Sequence, residues 1–89
     1  MTKPTVHMNG TGADDLVEGF CEGYRAIGDA METLAKHGPD GRDYYPQGPE
    51  AVSAAIAEHR DRLQRLDTLR AELLELAEHV QNVRPKPRS

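Results

Sequence analysis

Val17, Phe20, Tyr24, Ile27, Met31 and Leu34 are spaced by alternating steps of three and four. That period belongs to a helix that lays one seam against a partner at a shallow angle. It predicts a first helix over roughly residues 13 to 37. Thr11 followed by Asp14 matches a helix-start signal, with Asp15 and Glu18 placed where the helix dipole favours negative charge. Lys36 and His37 suit the far end, and Gly38-Pro39 stops the helix. Beside the seam runs a stripe of small residues, Gly19, Gly23, Ala26 and Ala30. Glycine inside a helix costs about 1 kcal/mol relative to alanine, and Gly28 adds a third. The expected compensation is close approach of another backbone; a ligand lying against bare backbone is the alternative.

A second helix is expected from Gly48-Pro49-Glu50 to about Asn82, before Arg84-Pro85. It would span roughly 50 Å against roughly 36 Å for the first, at 1.5 Å per residue. Its apolar stripe changes direction. Val52, Ile56, His59 and Leu63 share one face, while Leu66, Leu69, Leu73, Leu76, Val80 and Val83 share another, about a quarter turn away. Two partners are therefore expected. The early face packs on the first helix of the same chain, and the later stripe forms a contact between copies, because so long an exposed row of Leu and Val would be an unusual patch. The resulting expectation is an all-α fold: an antiparallel two-helix hairpin with an irregular N-terminal segment, assembled as a homo-oligomeric helical bundle. Residues 1–12 would be the extended segment, 13–83 the hairpin with its connector at 38–48, and 84–89 a basic tail.

Charge supports that pairing. The first helix carries Asp14, Asp15, Glu18, Glu22, Asp29 and Glu32 against Arg25 and Lys36, and the second carries Arg60, Arg62, Arg65 and Arg70. Such surface pairs select register more than stability. At 89 residues the chain makes at most one domain and is marginal alone. The single Cys21 excludes an internal disulfide, which leaves self-association as the remedy and fits a reducing compartment. The net charge of −4 argues against general nucleic-acid binding. No stretch approaches the ~20 apolar residues of a membrane span, and the first ten residues hold no signal core. A cytoplasmic location is expected.

Catalytic and metal chemistry find little purchase. His7, His37, His59 and His79 form no metal-spaced pair, and His59 on the apolar stripe reads as a satisfied interface histidine. No cofactor is expected. There is no phosphate loop and no nucleophile elbow. Asn9-Gly10-Thr11-Gly12 precedes a helix N-terminus, which reads either as a loop and cap or as a weak anion site. A non-enzyme is expected.

The connector is the unusual stretch. GRDYYPQGP, residues 41–49, gathers two of the chain's three Tyr, which has one Phe and no Trp besides. Tyr44 and Tyr45 could close the hairpin end while Arg42 and Asp43 bond turn backbone. Alternatively the loop recognises something: tyrosine stacks, arginine grips phosphate in a fork, and Gln47 reads a polar edge.

The opening His7, Asn9, Gly10 and Thr11, together with the connector Gly41, Arg42, Asp43, Tyr44, Tyr45, Pro46 and Gln47, resembles a group of small bacteriophage-encoded proteins. In that group a His-x-Asn-Gly-Thr opening precedes a helix, a GRDYYPQ connector and a charged second helix. The resemblance spans residues 6 to 80, with Met8 where the group is expected to carry leucine. It implies a phage setting, and so the host cytoplasm. Two functions fit. The first is an accessory factor that counters host defence by sequestering a nucleotide-derived ligand, held by His7, Asn9 and Thr11 together with Arg42, Asp43, Tyr44, Tyr45 and Gln47. The two motifs would lie at opposite ends of one hairpin, so the site would be shared between copies. The second is a protein-interaction module that inhibits a host defence or phage protein through its helical faces or tyrosine connector. A structural role in the particle is a third option.

Overall fold

The computed structural model describes residues 1–6 and 12–84. All regular structure among them is helical: α1 (Ala13–Lys36), a single turn α2 (Gly41–Tyr44), a 3-10 turn (Tyr45–Gln47) and α3 (Pro49–Val83). The expected helix limits are met within a residue. Thr11 lies outside the described residues. The N-cap of α1 is Gly12, extended at φ −60° and ψ 150° and making no side-chain cap bond. The Asp14 carboxylate takes a hydrogen bond from Arg84 at the far end of α3.

The two long helices lie side by side, and their contacts fix the register. The Leu34 carbonyl accepts from the His59 ring at 2.8 Å. The Arg70 guanidinium stands over the Tyr24 ring, 5.0 Å from its centre. A Cβ on Gly23 would come 3.0 Å from Leu73 Cδ1. Asp14 meets Arg84. Positions fall along α1 as they rise along α3, so α1 covers α3 from about His59 to Arg84. The seam residues Val17, Phe20, Tyr24, Ile27, Met31 and Leu34 are all half-buried.

This register overturns the later half of the expected division of α3, while His59 of the early face does meet the first helix. The later half, assigned to another copy, is the half that α1 covers. Val80, expected between copies, is fully buried within the chain at 0% exposure. Leu73, assigned there too, packs on Gly23. Leu66 and Leu76 are half-buried, and only Leu69 (45% exposed) and Val83 (47%) of the six stand open. The cause is the connector. It is coiled into α2 and the 3-10 turn and lies against the first turns of α3. The overrun of α3 past α1 therefore falls at its start, beside the connector, and not at its end.

The glycine stripe divides similarly. The close neighbours are side chains and not the expected backbone: Leu73 Cδ1 at 3.0 Å from a Cβ on Gly23 and the Arg70 guanidinium at 3.3 Å from one on Gly28. Gly19 has nothing within 4 Å of a built Cβ, and Ala26 and Ala30 are exposed.

The rod measures 67 × 21 × 20 Å with a radius of gyration of 19.4 Å. A compact domain of this length would have about 12 Å. Only Ala55, Ala77 and Val80 are buried among the described residues.

Candidate functional site at the connector pole

Beyond Gly38-Pro39 the chain turns on Asp40. Its carboxylate accepts from the Arg42 backbone N–H at 2.9 Å, and its carbonyl accepts from the Asp43 N–H at 3.0 Å. Asp40 thus caps α2, the role the sequence reading gave to Arg42 and Asp43. Asp-x-x-Asp at residues 40–43 is a start signal of the same kind as the one read at Thr11, and could have revealed this turn. Pro46 sits in the first turn of the 3-10 segment, and the Gly48 N–H returns to the Tyr45 carbonyl at 3.1 Å. Gly48 then takes φ +99° and ψ 167°, and Pro49 opens α3 with its fixed φ.

This scaffold leaves the connector's functional groups facing outward. Arg42, Asp43 and Gln47 are exposed, Tyr44 is half-buried, and Tyr45 is 82% exposed. None of the five side chains makes a hydrogen bond or ion pair to a described residue. Tyr45 cannot be closing the helix pair when most of its ring is in solvent. It forms one wall of an open groove of about 670 Å³ lined by Gly41, Tyr45, Gly48, Pro49, Val52 and Ser53. Sequence reasoning missed the floor of this groove, because Val52 was assigned to the contact with the first helix. Arg42, Asp43 and Gln47 do not line it.

His7, Asn9 and Thr11 lie outside the described residues. The residues flanking them lie at the other pole. Lys3 pairs with Glu75 at 3.4 Å, the Pro4 carbonyl accepts from the His79 ring at 3.0 Å, and Gly12 opens α1 beside the end of α3. Val6 and Gly12, on either side of the opening motif, and the connector lie at opposite poles of the chain.

His59 is a satisfied interface histidine, as its place on the stripe suggested. Among the described residues no group of three or more His, Cys, Asp or Glu side chains is placed to hold a metal ion. No described helix is long and apolar enough to cross a membrane. Searches of protein-family models, curated proteins and solved structures find no match to this chain.

Proposed function

We propose that the chain is a non-enzymatic binding module, an antiparallel helical hairpin that self-associates and recognises its target with the connector. In the phage setting that the resemblance implies, it counters host defence by sequestering a small nucleotide-derived ligand. Tyr45 supplies a stacking face and Arg42 a forked grip on phosphate. Asp43, Gln47 and Tyr44 supply polar contacts. The observation that carries this reading is the outward display of these groups, with Tyr45 82% exposed and nothing in the described chain engaging it. Residues 7–11, which include His7, Asn9 and Thr11, lie outside the described residues, and Val6 and Gly12 on either side of them sit at the other pole, so this reading rests on the connector.

A second reading has its own support. The groove beside Tyr45 is mostly apolar, and residues 38–53 around it carry Asp40, Asp43 and Glu50 against Arg42. An apolar segment of a host or phage protein suits that surface better than a multiply charged nucleotide does.

Thermal melting with a panel of cyclic dinucleotides and cyclic ADP-ribose isomers separates the two. Ligand sequestration requires a rise of several degrees with at least one compound, lost in Arg42→Ala and in Tyr45→Ala. No rise with any compound, together with a co-purifying protein that Tyr45→Ala releases, gives the second reading.

A further inference from the structure

Building on the self-association proposed above, we infer that one lateral face of the rod is where a second copy docks. On this face the small residues of α1 run beside leucines of α3, and α3 of each copy lies over α1 of the other.

The rod has two flanks between its long helices. On one, Cys21 of α1 and Leu74 of α3 share a cleft with Val17 and Gln81. At 100° per residue Gly23 points to the opposite side of α1 from Cys21, and Leu76 to the opposite side of α3 from Leu74. The second flank therefore joins Gly19, Gly23, Ala26 and Ala30 to Leu69, Leu76 and Val83. Its α1 half is a shallow channel: Gly19, Ala26 and Ala30 are exposed, and a Cβ on Gly19 would meet nothing. Its α3 half is a ridge, with Leu69 and Val83 each nearly half exposed. A two-fold axis running along the rod lays each ridge into the other copy's channel, a self-complementary contact.

The surface balance says what covers this face. The chain exposes 6932 Å², about a third more than the ~5,200 Å² expected of a folded monomer of this mass. Among the described residues the only fully buried side chain larger than alanine is Val80. A copy would supply the missing core. A stable dimer buries about 800 Å² per partner, which the roughly 36 Å over which α1 lies beside α3 supplies across about the full 21 Å width of the rod. Charge selects the arrangement. Arg62 and Arg65, paired along their own helix to Glu58 and Asp61, line the same cleft as Leu66 and Leu69, whereas α1 carries Glu22 and Asp29 within about 60° of Ala26. Laying α3 over α1 sets these arginines beside those acids.

Sedimentation equilibrium across a hundredfold concentration range tests this, with circular dichroism to follow helix content. Wild type is expected as a dimer, with Ala26→Arg and Leu69→Glu each shifting it to monomer. Mixed together, the two variants should recover a dimer, because the introduced acid meets the introduced base at one of the two junctions. Gly19→Ala covers the case in which a separated chain unfolds. In a lone chain that change improves the helix and raises the melting midpoint, whereas with a copy seated on the channel it lowers the midpoint. A wild-type monomer at every concentration overturns self-association altogether. A wild-type dimer that Ala26→Arg leaves intact, with a raised midpoint in Gly19→Ala, overturns only this face. Variants that stay apart when mixed overturn the α3-over-α1 arrangement.

Discussion

Replacing Gly48 by alanine isolates backbone strain from every other effect. Gly48 joins the 3-10 turn to α3 at φ +99° and ψ 167°, a region essentially restricted to glycine and costing an L-residue about 1–3 kcal/mol. A Cβ there meets nothing within 4 Å, so no clash contributes. Alanine also restricts the unfolded chain, which returns about 0.4–1 kcal/mol. The net loss is of order 1–2 kcal/mol, and at 4–8 °C per kcal/mol for a chain of this size the melting midpoint should fall by roughly 5–15 °C. Gly41, at the other end of the connector, is the control. It has equally open space and no positive φ, so Gly41→Ala should be neutral or slightly stabilising. D-alanine at 48, introduced by chemical ligation, favours positive φ and should restore the wild-type midpoint. The assay is thermal melting followed by circular dichroism at fixed protein concentration. A Gly48→Ala chain that melts at or above wild type would refute the reasoning, as would a D-alanine chain no better than the L-form.

Val80→Ala removes two carbons from a fully buried valine and should cost about 1.5–2.5 kcal/mol by denaturant unfolding, transfer and residual cavity together. Tyr45→Ala, at a residue 82% exposed, should change stability by no more than about 0.5 kcal/mol while removing the ligand or partner signal in a binding assay. His59→Phe deletes the 2.8 Å bond to the Leu34 carbonyl and should lower stability by about 0.5–1.5 kcal/mol in the same unfolding experiment. Asp14→Asn weakens the pairing with Arg84, but the Asp14 side chain is 84% exposed; the cost should stay below about 1 kcal/mol and shrink further in high salt.

The helices were legible because their signals are local. Gly38-Pro39 and Gly48-Pro49 punctuate the chain, and the alternation from Val17 to Leu34 names the inner face of α1 unaided. The register was not legible. Leu66, Leu73 and Val80 face α1, whereas Leu69, Leu76 and Val83 lie one step round the helix. Both triads fall on the single stripe that the spacing reveals, and period alone cannot divide them. What divides them is how far the chain travels between Lys36 and Pro49. That distance depends on whether Asp40 nucleates a turn, and the glycines and prolines around it masked the turn. The connector's chemistry was visible as composition, and its outward display follows from Asp40 satisfying the turn, which leaves Arg42 and Asp43 with no such duty. The floor of the groove was hidden by the same register error that placed Val52 against α1.

The bond between His79 and Pro4 holds the first described residues beside the last turns of α3, so both described ends of the chain emerge at one pole. Anything fused or tethered at either side is carried there, a rod's length from the tyrosines. Immobilised by such a tether on a sensor chip or a bead, the molecule would stand upright with its connector directed into the bulk solution, and a tag at either end would not shadow the surface being probed.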